Sequence, residues 1–294
     1  MKAKTINKII SRKLADWLRS IDDLELVKKI EKDVIFTGGC IASMLLKEEV
    51  NDFDVYFKTR NTAESVANYY IKKFNSTNTT SKAEIVLEND RIKIYIPAAG
   101  VATEDGNQEL LESPFDNAVD ALSEADSISM PESDEKEKYR VVFLSSNAIT
   151  LSNDIQIVVR FYGDVSEIHK NYDFAHCTNY WTSESGLVLN VDALEALMTK
   201  ELVYMGSKYP LCSIIRTRKF IKRGFHINAG QYLKMCLQLN ELDLCDIQVL
   251  EDQLIGVDSS FFTMLINALK KHQEDNKDLR ISATYVATII DRIF

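Results

Sequence analysis

Two aspartates alternate with large apolar residues in the stretch Asp52-Phe53-Asp54-Val55, and this pattern constrains the fold more than any other. Apolar residues at every second position predict a strand with one buried face. Phe53, Val55 and Phe57 are therefore expected in the core. The two carboxylates then share the opposite face, a few ångströms apart. Because like charges held that close need a cation to neutralise them, the strand predicts a Mg²⁺ site at Asp52 and Asp54.

A pair of glycines precedes this strand. The short apolar run Val34-Ile35-Phe36 stops at Gly38-Gly39, and the helix-prone segment Cys40–Lys47 follows. Glycine lets the backbone approach a phosphate, and a helix N-terminus favours anions. Alone, the glycines are typical of a tight turn and the aspartates of a solvated strand face. Together, in this order, they predict a site where Gly38 and Gly39 bind a nucleotide and two metal ions assist pyrophosphate release.

The stretch from Gly38-Gly39 to Asp52-Phe53-Asp54 resembles the signature of the polymerase-beta nucleotidyltransferase superfamily. Within it, GGCIASMLL and NDFDVYF are most similar to the head domain of CCA-adding enzymes and bacterial poly(A) polymerases. In those enzymes Gly-Gly is followed by Val-Arg-Asp, whereas here the tripeptide is Ile41-Ala42-Ser43. Their Arg and Asp contacts are therefore not carried over to this chain. The arrangement also resembles nucleotidyltransferases of tailed phages and large DNA viruses.

A basic stretch in the second half resembles the neck helix of the same enzymes. The segment 210–227, PLCSIIRTRKFIKRGFHI, ends in Gly-Phe and an apolar residue. Residues three or four apart lie on one helix face, so Arg216, Lys219 and Arg223 are expected to form one stripe. This stripe is the candidate contact for an acceptor phosphate. The alternative is a solvated helix face with the apolar residues between the bases packed inward.

The superfamily resemblance implies a third carboxylate on a neighbouring strand. Gln156, between Ile155 and Ile157, occupies the place where one is expected. We therefore choose Asp173, at the start of a predicted strand ending at Cys177, as the third catalytic residue. Asp154 is the second choice. The alternative for Asp173 is an N-cap or a turn residue.

The chain divides into two halves by its pattern. Strands and helices alternate up to residue 191, and the remainder, 192–294, is almost wholly helical. We expect an α+β fold, in which a polymerase-beta palm-like mixed sheet with helices (1–191) is followed by an all-helical domain. Residues 100–137 interrupt the first domain as an acidic insertion. Residues 104–138 hold 12 acidic and two basic residues, which leaves 33 basic and 32 acidic residues elsewhere, so a nucleic-acid partner is not excluded.

Five scattered cysteines and an N-terminus without an apolar leader favour a cytoplasmic protein with free thiols. No stretch is long and apolar enough to predict a membrane partner. The leading hypothesis is an enzyme that transfers a nucleotidyl group from NTP to a hydroxyl, with an RNA 3′ end favoured over a protein or small-molecule acceptor. The alternative is a degenerate nucleotidyltransferase fold that serves as a non-catalytic binding or structural module. The sequence indicates no oligomeric state.

Overall fold

The computed structural model of the protein describes residues 1–77, 82–88, 91–95, 138–145, 147–254, 260–275 and 281–293. The described residues form two compact units, of which the first ends at Thr199 and the second begins at Lys200. The predicted acidic insertion at residues 100–137 lies outside the described residues. The fold is of the α+β class, with a mixed sheet followed by a helical region.

The described part of the first unit is built on a seven-stranded sheet and a separate hairpin. The strands are β1 Val34–Thr37, β2 Phe53–Phe57, β3 Glu84–Glu88, β4 Arg91–Tyr95, β5 Val141–Leu144, β6 Ala148–Leu151, β7 Ile155–Tyr162, β8 Tyr180–Thr182 and β9 Gly186–Val188. The sheet order is β5-β6-β7-β2-β1-β8-β9, and β3 pairs with β4 to form the hairpin. Only β2 and β7 pair in parallel among these strands. The sheet is therefore mixed, and its one parallel pair lies at the centre.

Four helices cover one face of this sheet: α1 Ala3–Leu18, α2 Leu24–Asp33, α3 Gly39–Leu46 and α4 Arg60–Thr77. Phe53, Val55 and Phe57 lie in the core beneath them, as the alternation predicts. The buried Trp17 of α1 donates its indole N–H to Tyr70 of α4, with 2.6 Å between Nε1 and the hydroxyl oxygen. This bond gives the indole N–H the partner that a buried polar group needs.

A shorter helix, α5 Val165–His169, packs against the opposite face of the sheet. Its Ile168 is buried with Ile35 of β1 and Tyr56 of β2. The first unit ends with α6 Val191–Thr199. Among the described residues of the first unit, α5 covers the part of this face around Ile35 and Tyr56, and the polar side chains of β2 lie on the same side.

Five helices lie in the described part of the second unit: α7 Pro210–Lys222, α8 Ala229–Leu239, α9 Ile247–Leu254, α10 Ser260–Asp275 and α11 Ala283–Ile293. An isolated bridge also pairs Glu201 with His226. Leu250, Leu265 and Leu269 belong to its own apolar core. Asn228 is the N-cap of α8, since its side chain accepts a hydrogen bond from the N–H of Gln231. No helix within the described ranges combines the length and the apolar character that crossing a bilayer requires.

One predicted strand is wrong. Residues 173–177 do not form a strand; Ala175–Cys177 is a single turn of 3₁₀-helix. The N–H groups of Cys177 and Thr178 bond three residues back, to Phe174 and Ala175, and the Thr178 hydroxyl also donates to the Ala175 carbonyl. These local bonds satisfy the backbone in place of a strand ladder.

Candidate active site

The two predicted metal-binding aspartates lie at the start of the central strand β2. Asp54 is the second residue of the strand and Asp52 comes immediately before it, and both are half-buried. Asp54 shares its face with Tyr56, two residues on, which packs against α5. The carboxylates therefore lie on the partly covered face of the sheet, opposite the main core.

Gly38 links β1 to α3 directly beside Asp54. It adopts φ +92° and ψ −150°, a conformation that residues with a side chain rarely adopt. A Cβ at this position would lie 2.7 Å from Asp54 Oδ2 and 3.3 Å from the Tyr172 hydroxyl. Glycine is thus required here both by the backbone turn and by the close approach of the carboxylate.

Gly39, the first residue of α3, has different surroundings. A Cβ built on Gly39 meets no heavy atom within 4 Å, so nothing in the described protein prevents a side chain there. The space in front of Gly39 adjoins the start of a helix, where backbone N–H groups favour an anion. The two predicted nucleotide-binding glycines therefore differ. Gly38 leaves space for the side chains of Asp54 and Tyr172, whereas the space beside Gly39 is empty of protein atoms within 4 Å.

Gln156 is the residue that faces both aspartates. It lies on β7 directly opposite Asp54 in the parallel β2–β7 pair. With its amide oriented as a donor, Nε2 lies 2.9 Å from Asp52 Oδ2 and 3.3 Å from Asp54 Oδ1. A single amide thus bridges the two carboxylates. The family resemblance predicts a third carboxylate at this position, and no feature of the sequence predicts a role for the glutamine itself.

Thr37, His169 and Tyr172 lie near the carboxylates. Thr37 donates its hydroxyl proton to the Asn179 carbonyl over 3.0 Å, and its oxygen lies 2.9 Å from His169 Nε2. Burial lowers the pKa of His169 to about 4, so the imidazole is neutral at physiological pH. Burial, followed by the charges of Tyr56 and Asp54, raises the pKa of Tyr172 well above its usual value. Tyr172 therefore remains protonated beside Asp54.

The charges of the two aspartates also affect the pKa of the buried Cys40 thiol. Burial raises the pKa of Cys40 well above its usual value, and the negative charges of Asp54 and then Asp52 add to the effect. Its Sγ lies 3.8 Å from the Thr37 carbonyl oxygen. Cys40 is therefore a protonated packing residue beneath the site. All five cysteines of the chain are free thiols.

The structure does not bring either candidate for the third carboxylate into an acidic group with Asp52 and Asp54. Within the described ranges, no three side chains of His, Cys, Asp or Glu are grouped closely enough to hold a metal ion. Asp173 is buried just before the 3₁₀ turn. Asp154 lies in the turn before β7, where its Oδ2 is 3.5 Å from Lys13 Nζ. Its backbone oxygen accepts a bond from the N–H at the start of β2.

The predicted basic stripe belongs to the second unit. Arg216 and Lys219 are on α7, and Arg223 is the C-cap residue of that helix. Arg216 and Arg223 are half-buried, whereas Lys219 is exposed. Arg218 and Lys222, on the neighbouring face, are also exposed. Arg216 and Lys219 therefore share one helix, and Arg223 follows at its C-terminal cap.

Comparison with protein families gives one match. A family model described as Gad2, Gabija anti-defense 2 family protein, matches residues 8–200, which is more than half of the chain. The match includes the sheet, both glycines and both aspartates. No curated protein matches the chain.

Several solved structures are similar to this chain. They include a CCA-adding enzyme from Thermotoga maritima complexed with tRNA, at 12% identity over 78% of this chain and 45% of that one, with a TM-score of 0.40. The Bacillus stearothermophilus CCA-adding enzyme in complex with CTP is 12% identical over 86% and 51%, with a TM-score of 0.37. A tRNA nucleotidyltransferase complexed with a primer tRNA and an ATP analog is 11% identical over 87% and 61%, with a TM-score of 0.41. The chain thus spans less than two thirds of each of these solved chains.

Proposed function

The chain belongs to the Gabija anti-defense 2 family, and from that premise we propose that its first unit is a metal-dependent nucleotidyltransferase serving an anti-defence role. The reaction is the transfer of a nucleoside monophosphate from NTP to a hydroxyl, with release of pyrophosphate. One observation carries the proposal: Asp52 and Asp54 lie together on the partly covered face of β2, beside the glycine turn that opens α3. The same arrangement offers carboxylates to a cation and helix N–H groups to a phosphate.

The donors present at this site fit Mg²⁺. Mg²⁺ is commonly bound by one or two carboxylates together with substrate phosphates, and Asp52 and Asp54 would supply the protein part of such a site. When bound, the metal activates the attacking hydroxyl and neutralises charge on the leaving pyrophosphate. Gly39 leaves the backbone at the start of α3 accessible to the phosphates. Tyr172 and His169, both held neutral beside the site, add no charge that would compete with the cation.

We favour an RNA 3′ end as the acceptor. The supporting feature is the stripe Arg216, Lys219 and Arg223 on and just after α7. Cationic side chains that neutralise phosphates release counterions, so binding through this stripe falls steeply as salt rises. Filter binding of RNA across a salt series should show charge reversal at Arg216 and Lys219 weakening RNA affinity far more than charge reversal at Arg218. Equal, salt-insensitive RNA binding by the variants at Arg216, Lys219 and Arg218 would instead favour a protein or small-molecule hydroxyl as the acceptor.

A non-catalytic binding module is the second candidate. The observation that favours it is Gln156, an uncharged residue that faces the carboxylate pair where a third acid is expected. A binding module would be stabilised by NTP yet release no pyrophosphate. The two candidates therefore differ in product and not in nucleotide affinity.

The deciding experiment supplies each labelled NTP, Mg²⁺ and total RNA or protein, and follows label transfer and pyrophosphate release. Wild-type protein should transfer label, and the Asp54→Asn variant should not. A parallel assay of Gabija activity with the same two proteins tests whether the transfer serves the anti-defence role. Binding of NTP without transfer to any acceptor, together with equal anti-Gabija action by both proteins, would establish the non-catalytic candidate.

A further inference from the structure

The side chain of Gln156 lies within contact distance of both candidate metal-binding aspartates. It lies directly opposite Asp54 across the parallel strand pair, and its terminal amide faces both carboxylates. The amide atom on that side is 2.9 Å from Asp52 Oδ2 and 3.3 Å from Asp54 Oδ1. One terminal atom of the Gln156 amide, on β7, therefore contacts the carboxylates of both Asp52 and Asp54, at the start of β2.

The shorter of these distances equals the spacing of neighbouring ligands around Mg²⁺. An octahedral ion with oxygens at about 2.0–2.1 Å places neighbouring ligands roughly 2.9 Å apart. The amide atom of Gln156 lies at 2.9 Å from Asp52 Oδ2, and it lies 3.3 Å from Asp54 Oδ1, so a small shift of that carboxylate brings it to the same spacing. An amide oxygen is also a hard, neutral donor of the kind that such cations accept.

The amide of a glutamine presents either of two groups by a half-turn about its last bond. Facing two carboxylates without a cation, it must present Nε2, because two acceptors require a donor and an NH₂ group carries one hydrogen for each. Facing a cation, it must present Oε1. The side chain can make this exchange in place, without moving the strand.

We propose that Gln156 is the third protein ligand of the cation site, through Oε1, and that its amide turns to bridge Asp52 and Asp54 through Nε2 when the cation leaves. The inference rests on the proposed function, since it assigns the donor set of that same site. A neutral third ligand leaves the protein with two negative charges at the site. Because the cation then depends on the triphosphate for the remaining negative charge, metal and nucleotide bind together and the free protein holds the metal weakly.

Mn²⁺ replaces Mg²⁺ as the probe because its binding to a slowly tumbling protein enhances water-proton relaxation. Relaxation is measured on the full chain with Mn²⁺ alone and with Mn²⁺ plus the α,β-methylene analogue of each of the four NTPs in turn. The variants are Gln156→Leu, which removes both amide groups, and Gln156→Glu, which supplies a third carboxylate. Gln248→Leu, at an exposed position on α9, is the matched control. Circular dichroism verifies that each variant is folded.

Wild type and the control should bind Mn²⁺ weakly alone and tightly with at least one analogue. Gln156→Leu should lose about tenfold or more of the Mn²⁺ affinity measured with the analogue, a loss of the size seen when a metal site loses a supporting residue. Gln156→Glu should bind Mn²⁺ alone at least about tenfold more tightly than wild type, because it adds a charge at the site. In metal-free buffer, Gln156→Leu should also melt at a lower temperature, since the two carboxylates lose their shared donor.

The two proposals fail in different ways. If wild type binds Mn²⁺ with the analogue and Gln156→Leu binds it equally well, the glutamine is not a ligand although the nucleotide site stands. Unchanged Mn²⁺ affinity of the free Gln156→Glu protein likewise overturns the ligand assignment. If wild type shows no relaxation enhancement under any of these conditions, the proposed function fails, and the ligand role fails with it.

Discussion

Replacing Gly38 by alanine should damage both stability and activity, and the structure allows the size of the effect to be worked out. The backbone at φ +92° and ψ −150° is a region essentially reserved for glycine. Holding another residue there costs about 1–3 kcal/mol. The new Cβ would also lie 2.7 Å from Asp54 Oδ2, closer than a real contact permits, so the carboxylate must move.

The assay is thermal unfolding combined with nucleotidyl transfer. A loss of about 2 kcal/mol lowers the melting temperature by roughly 4–8 °C in a unit of this size. Activity should fall further than stability explains, because the displaced atom belongs to a metal-binding carboxylate, and misplacement of about 1 Å can cost a hundredfold in rate.

Gly39→Ala is the matched control. Its Cβ would meet no heavy atom within 4 Å, and alanine is a better helix residue than glycine, so stability should be unchanged or slightly raised. If nucleotide approaches the start of α3, the same variant should still lose NTP affinity. A Gly38→Ala variant with the melting temperature and transfer rate of wild type would contradict this prediction. A Gly39→Ala variant that is less stable than Gly38→Ala would contradict it as well.

Three further predictions concern charge. Asp54→Asn should reduce transfer by about a hundredfold or more, since a metal site supplies several kcal/mol, whereas Asp154→Asn, at the Lys13 ion pair, should retain most activity in the same initial-rate assay. RNA affinity measured by filter binding should fall more with Lys219→Glu than with Arg218→Glu, and the difference should vanish in high salt. His169 is neutral in the folded protein with a pKa of about 4, so its contribution to stability is present above about pH 6.5 and lost as pH falls toward 4. His169→Gln should flatten that part of a melting-temperature profile against pH, and an unchanged slope would contradict the assignment.

Local periodicity was sufficient to predict the elements that form the candidate site. The alternation around Asp54 predicts β2 because a strand with one buried face must alternate, and its apolar residues are buried as expected. The glycines predict a turn into a helix, and the turn at Gly38 has the positive φ that only glycine adopts readily. Both signals are local, so they are visible without knowledge of the tertiary fold.

Short strands cannot be predicted from alternation. β6 and β8 have four and three residues, too few for an alternation to be distinguished from chance. The helix α2 was also missed, although its sequence carries the signals of a helix. Leu26, Val27 and Ile30 stand at helical spacing, and Asp23 caps the helix by accepting hydrogen bonds from two backbone N–H groups.

The partner of the two aspartates could not be predicted for a different reason. Gln156 faces Asp54 because β7 pairs in parallel with β2, and that register depends on the whole sheet. No local pattern distinguishes Gln156 from a solvated glutamine on any strand. The third-carboxylate choice, Asp173, depended on a strand that the 3₁₀ turn at Ala175–Cys177 replaces.

The parallel pairing of β2 with β7 also has a consequence for how the protein matures. The strands β1 and β2 are close in sequence, so their pairing closes only a short loop. Asp54 and Gln156 are roughly a hundred residues apart. A contact at that separation forms slowly because a long loop must close first. The carboxylate pair can therefore be assembled on an early hairpin-like core while its glutamine partner is still absent. Until β7 pairs with β2, Asp52 and Asp54 lack the amide of Gln156 that bridges them. The complete arrangement of the two aspartates and the glutamine therefore depends on a long-range pairing and not on the local β1–β2 contact alone.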